Sequence, residues 1–157
     1  GLNELFIQYD ILAKKYGLEK IKTIGDAYMA VCGVPVFTPD HASRTAQFAL
    51  GVQELFAAGV EIDGHKVNVR IGLHCGEVIA GVIGEQKFAY DLWGDAVNTA
   101  SRMESHGEAG KIHVSEDFMR AVETVHAPSL RFIPRGEMEI KGKGIMKTYF
   151  LEKMSVP

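Results

Sequence analysis

Glu19-Lys-Ile-Lys-Thr-Ile-Gly-Asp-Ala-Tyr-Met-Ala-Val31 places two short strand-like runs on either side of Gly25-Asp26. That dipeptide suits a two-residue hairpin turn, whose central positions need the left-handed backbone region that Gly tolerates. The spacing predicts an antiparallel hairpin, 20–24 with 27–33, and leaves Asp26 at its tip. Upstream, Leu2, Leu5, Phe6, Tyr9, Leu12, Ala13 and Tyr16 recur at three- and four-residue intervals until Gly17 stops them, the pattern of an amphipathic helix. No capping Ser, Thr, Asp or Asn precedes Leu2, as expected of a segment cut from a longer chain. Downstream, past Pro35 and Pro39, Asp40 is placed to cap a helix whose apolar side runs through Ala42, Ala49, Val52 and Phe56 and ends near Gly59.

The same two periods alternate to the end of the chain. Val67, Val69, Ile71, Leu73 and Cys75 interleave with Asn68, Arg70, Gly72 and His74, the period of a half-buried strand. Residues 78–83 are almost continuously apolar and predict a more central strand; a turn at 84–87 leads into a strand over 88–93. A helix follows from Asp95 to about His106, with Val97, Ala100 and Met103 facing inward. A short strand at 112–114, a Ser115-capped helix to about Val122, and a hairpin of 130–140 with 146–152 around Lys141-Gly-Lys-Gly144 complete the reading. Interleaved helices and antiparallel strands make the class α+β. The expected architecture is a ferredoxin-like, split βαβ antiparallel sheet with helices on one face.

At 157 residues, 46% apolar and 24% charged, the chain has the make-up of one globular domain. A net charge of −3 offers no electrostatic footprint for nucleic acid. Two cysteines, Cys32 and Cys75, fit a reduced compartment. No apolar run nears the ~18 residues that span a bilayer, and the first ten residues carry no leader pattern. The expected location is cytoplasmic.

Several polar residues stand where chemistry is conceivable. Asn98 and Arg102 are four apart on the helix that follows Tyr90-Asp-Leu-Trp-Gly, so a neutral donor and a cation project from one face, an arrangement suited to an anionic centre. Lys22, Asp26 and Asp91 fall on the first hairpin and on a strand end, where such residues are ordinary. Lys141 lies in a Gly-rich basic turn, and most such turns are only turns. The six histidines have no zinc-ligand spacing. Neither a Gly-x-Ser-x-Gly elbow nor a Walker-type Gly-Lys-Ser/Thr is present.

Five segments taken together say more. Residues 19–31, Arg-Ile-Gly-Leu-His-Cys-Gly (70–76), Ala-Gly-Val-Ile-Gly (80–84), Tyr-Asp-Leu-Trp-Gly-Asp-Ala-Val-Asn-Thr-Ala-Ser-Arg-Met-Glu (90–104) and Ile-Lys-Gly-Lys-Gly (140–144) resemble, in order and over nearly the whole chain, the catalytic domain of a class III nucleotidyl cyclase. The resemblance implies attack of a nucleoside triphosphate's own 3′-hydroxyl on its α-phosphate, giving a 3′,5′-cyclic monophosphate and pyrophosphate. It further implies two Mg²⁺ or Mn²⁺ ions per site and sites shared across a head-to-tail homodimer, one subunit's Asp26 facing the other's Asn98 and Arg102. Carried over by position, Asp26 resembles a metal carboxylate, Asn98 the residue that orients the ribose, Arg102 the one that meets charge on the α-phosphate, and Lys141 the one that holds the terminal phosphates. Lys22 and Asp91 correspond to the purine-selecting pair.

Adenine offers an N1 acceptor and a 6-amino donor, matched by a Lys donor and an Asp acceptor. Guanine reverses that polarity, and guanylyl cyclases of this family typically have Glu and Cys there. ATP is therefore the expected substrate, cyclic AMP signalling the expected role, and regulatory domains, with or without a membrane tether, are expected in the parent protein. Family members begin with a strand carrying Phe-x-Asp-Ile-x-Gly-Phe and a second metal carboxylate. This sequence starts after it, so the resemblance implies a catalytic domain over 1–157 truncated at its N-terminus. Asp26 alone is then a poor holder of two magnesium ions. A non-catalytic cyclase-homology module that dimerises or binds nucleotide is the alternative, and a guanylyl cyclase a weaker one.

Overall fold

The strand at 112–115 is the one around which the chain is organised. All four of its residues are buried; Ile112 and Val114 join Leu73, Phe118, Val122, Leu130 and Leu151 in the main apolar cluster, while His113, between them, points the other way. The computed structural model describes residues 1–85, 89–125 and 129–154. Its elements in chain order are α1 (Leu2–Tyr16), β1 (Glu19–Ile24), β2 (Ala27–Val31), α2 (His41–Ala57), β3 (Glu61–Ile62), β4 (His65–Lys66), β5 (Ile71–Leu73), β6 (Ile79–Ile83), β7 (Ala89–Trp93), α3 (Asp95–Ser105), β8 (Ile112–Ser115), α4 (Glu116–Thr124), β9 (Leu130–Ile140) and β10 (Gly144–Lys153).

Four strands form the main sheet in the order β5-β8-β10-β9. β8 pairs antiparallel with β10, and β10 with β9, but β5 pairs parallel with β8. The parallel pair follows from the long crossover through β6, β7 and α3, since parallel neighbours cannot be joined by a tight turn. β1–β2, β3–β4 and β6–β7 are separate two-stranded antiparallel ladders. The α+β class and its antiparallel pairings stand as expected.

Helices cover both faces of the sheet rather than one. Ala42, Ala46, Ala49 and Leu50 of α2 and Phe118 and Val122 of α4 pack on the Ile112/Val114 side; burying a side chain such as Phe118 contributes about 1.5–3 kcal/mol. On the opposite side His113 Nδ1 lies 2.8 Å from the Met103 carbonyl of α3. Gly72, register partner of His113, lets the helix in: a Cβ at Gly72 would come 2.0 Å from the Glu104 amide nitrogen. A second apolar cluster joins α1 to α2 through Tyr9, Val52 and Phe56, with Phe6, Tyr28 and Phe48 around them.

The first hairpin, the Gly17 stop at φ 79° and the Ser115 cap, which accepts from the Phe118 amide at 3.2 Å, follow the sequence reading. Other expectations do not. Asp40 makes no side-chain cap; its carboxylate takes a hydrogen bond from Arg44 Nε at 2.8 Å, a charged donor one turn on outcompeting an amide. The alternating run 67–75 forms a strand only at Ile71–Leu73, because Val67 N donates to Val60 O and Val69 O accepts from Gly110 N. The apolar run 78–83 is not central: in β6 Ile79 is 69% and Val82 61% exposed, on a hairpin outside the main sheet. The start of the strand expected at 88 and the end of the turn expected at 84–87 lie outside the described residues.

Candidate active site

Lys22 and Asp91 meet across two hairpins. A register irregularity in β1 between Lys20 and Lys22 lies beside Lys22, and β1 packs against β7, which carries Asp91. Lys22 Nζ donates to Asp91 Oδ2 at 2.9 Å, and the Leu92 amide donates to Oδ1 at 2.8 Å. Asp91 is buried to 8% exposure. The Lys22 ammonium, then the Leu92 amide, hold its carboxyl below the usual carboxylate range. The pair offers one donor and one acceptor side by side, 69 residues apart in sequence.

α3 follows β7 after Trp93 and Gly94, whose φ of 125° only glycine takes without strain. Asn98, exposed, and Arg102, half-buried, follow one another on this helix by one turn. Asp26 is exposed in the β1–β2 turn and Lys141 in the β9–β10 turn. Among the described residues no side-chain hydrogen bond or ion pair engages Asp26, Asn98, Arg102 or Lys141, whereas Lys22 and Asp91 engage each other. Lys22, Asp26 and Asn98 line one cleft of about 970 Å³ that also takes in Ile24, Met29, Leu73 and His74. α3 packs chiefly on β5, β8 and β7, and the β1–β2 hairpin on β7 and α1. Asp91, Arg102 and Lys141 are outside the cleft lining.

Three features went unread in the sequence. Lys143 Nζ pairs with Asp95 Oδ2 at 2.5 Å, tying the β9–β10 turn to the first residue of α3; the alternation Lys-Gly-Lys-Gly marks the turn but not its partner 48 residues away. His74 Nδ1 lies 2.6 Å from Ser115 Oγ. Gly72 admits α3 to the sheet.

Residues 1–153 match the family model of the adenylate and guanylate cyclase catalytic domain. The chain belongs to that family. It is 46% identical over 152 residues to the soluble guanylate cyclase subunit beta-2 of Rattus norvegicus, covering 96% of this chain and 22% of that protein. To an adenylate cyclase of Mycobacterium tuberculosis it is 44% identical over 150 residues, covering 96% and 33%. It superposes on the guanylate cyclase domain of RhGC from Catenaria anguillulae, solved in complex with GTP, with a TM-score of 0.90 and 43% identity over 98% of this chain and 82% of that one. The cyclase domain thus spans about a fifth to a third of the curated relatives it matches. Those relatives include both nucleotide classes, so kinship leaves the purine open.

Cyclases of this family generally use Mg²⁺ or Mn²⁺. Among the described residues no three His, Cys, Asp or Glu side chains converge on a point that could hold an ion. Magnesium takes six oxygens, so the described residues of one chain do not by themselves make such a site. Among the described residues, no helix is long and apolar enough to cross a membrane.

Proposed function

We propose that this cyclase domain is an adenylyl cyclase, converting ATP to 3′,5′-cyclic AMP and pyrophosphate at sites shared between two copies. The observation that carries the reading is the Lys22–Asp91 pair, a donor and an acceptor held 2.9 Å apart with the acceptor ionised. Lys22 donates to adenine N1 and Asp91 accepts from the 6-amino group; against guanine, an ionised Asp91 faces O6 and cannot donate. Asn98 orients the ribose. As the O3′–Pα bond forms, the 3′-hydroxyl proton passes to solvent and the Pα–O bond to pyrophosphate breaks, Arg102 meets the charge that grows on the α-phosphate, and Lys141 holds the terminal phosphates. Asp26 is the one carboxylate this reading gives to a divalent cation. The lack of side-chain partners at Asp26, Asn98, Arg102 and Lys141 among the described residues supports their being open to ligand. Exposed Ile79, Val82 and Trp93 on the β6–β7 hairpin support burial against a second copy.

The test is base preference. Replacing Lys22 with Glu and Asp91 with Cys together is expected to move kcat/KM from ATP toward GTP, because the carboxylate then accepts from guanine N1–H and the 2-amino group while the thiol donates to O6. Neither change alone suffices, since Lys22→Glu by itself sets two carboxylates at one base edge. A double mutant that stays active with unchanged ATP preference overturns the assignment. The alternative reading is a cyclase-homology module that binds nucleotide without turnover. That reading is marked by ATP binding with no pyrophosphate released by the full-length protein.

A further inference from the structure

The turn between β9 and β10 is built on two glycines. Gly142 and Gly144 take left-handed backbone, at φ 79° and 77°, and the turn is closed by Lys143 N donating to Ile140 O at 2.9 Å. Among the described residues the only polar side-chain link from this turn to another element is Lys143 Nζ to Asp95 Oδ2. Lys143 is drawn in to 22% side-chain exposure, while Lys141, two residues earlier, stays exposed. Asp95 is the first residue of α3, the helix that carries Asn98 and Arg102, and its carboxylate is also favoured by the helix's N-terminal partial charge.

We infer that Lys143 and Asp95 are positioning residues: their ion pair sets the β9–β10 turn against the start of α3, so that Lys141 and Arg102 address one polyphosphate. This rests on the proposed phosphate roles of those two residues. An exposed ion pair adds little to global stability, but Gly142 and Gly144 leave the turn free to wander without it, and a misplacement of about 1 Å can cost as much as 10²-fold. Lys143 is held on Asp95 while Lys141 stays open, so the positioning role falls to Lys143 and the phosphate contact to Lys141.

The experiment uses the full-length protein with 3′-deoxy-ATP and 3′-deoxy-GTP, which lack the attacking hydroxyl, and follows whichever the wild type binds. Lys143→Gln and Asp95→Asn are each expected to weaken its binding about tenfold, with binding of the corresponding nucleoside and the melting temperature nearly unchanged. The double variant is expected to be no worse than the poorer single, as for two residues acting through one contact. Lys143→Arg is expected to restore most of the affinity. If Asp95→Asn leaves binding unchanged or tightens it, Lys143 is a direct phosphate ligand freed from a competitor, and the inference is overturned. Lys141→Ala separates the two failures. If it is without effect, the phosphate role of Lys141 falls and takes the inference with it; if it weakens binding while Lys143→Gln and Asp95→Asn do not, only the inference falls.

Discussion

Arg102 sits on α3 without a side-chain partner among the described residues, so its charge is available for work elsewhere. If it meets charge that develops as the α-phosphate is attacked, Arg102→Ala is expected to lower kcat roughly 10²–10³-fold with a small change in KM. Steady-state kinetics with varied ATP check it; an unchanged kcat removes Arg102 from the mechanism. His113 shows the opposite use of a polar residue. It is fully buried, and because a carbonyl can only accept, Nδ1–H donates to Met103 O and Nε2 accepts from the Thr148 hydroxyl, 2.8 Å away. Burial lowers the His113 pKa, as it does that of His74. The sign follows from linkage: as pH falls below about 6.5 the unfolded chain takes up protons that the folded chain refuses, so stability is lost from there down to the depressed folded values. The melting temperature is expected to be flat from pH 8 to 7 and to drop below about 6.5. His113→Gln is expected to destabilise by about 1–3 kcal/mol at neutral pH and to flatten that drop.

At the scale of elements, the α3–β5 contact sets where Asn98 and Arg102 stand. A Cβ at Gly72 would lie 2.5 Å from the Met103 carbonyl carbon as well as 2.0 Å from the Glu104 nitrogen, and both are helix backbone that no rotamer change can move. Gly72→Ala therefore displaces α3 as a body. The expected loss is about 1–3 kcal/mol or more, with kcat falling further than stability alone accounts for because the helix carries both residues. Thermal melting and kinetics on the same preparation check it; normal kcat in a destabilised variant would mean the helix recovers its place. Gly51, on the opposite side of the fold, is a milder case. A Cβ there meets the flexible Leu12 side chain at 3.2 Å, which can give.

At the scale of the molecule, the β6–β7 hairpin leaves several large apolar residues exposed. Ile79, Val82 and Ile83 are 69%, 61% and 46% exposed, on a hairpin in which Asp91 is nonetheless buried against Lys22. In the proposed shared site a second copy brings its own Asp26 toward this copy's α3. Activity is then expected to depend on dimer concentration. Mixing full-length Asp26→Ala and Arg102→Ala subunits is expected to restore one intact site per heterodimer, about half of the wild-type sites in that species. A mixture as inactive as either parent, under conditions where subunits exchange, excludes the shared site.

Local periodicity and turn chemistry were enough for α1 and its Gly17 stop, the Gly25-Asp26 hairpin, the Ser115 cap and the long β9–β10 hairpin, because each depends on residues within a few positions of one another. Together with five ordered motifs they also determined the family. The tertiary structure decided what depends on distant partners: that β5 runs parallel to β8, that α3 crosses the sheet at Gly72, that Asp40 serves Arg44 rather than a helix end, and that the most apolar run lies outside. It also brought Lys143 to Asp95, and set Lys22 within 2.9 Å of Asp91, a pair that only the family resemblance had coupled. Each of these pairs is separated by 48 or more residues, and no periodicity along the chain encodes which charge will meet which once helices and hairpins have packed.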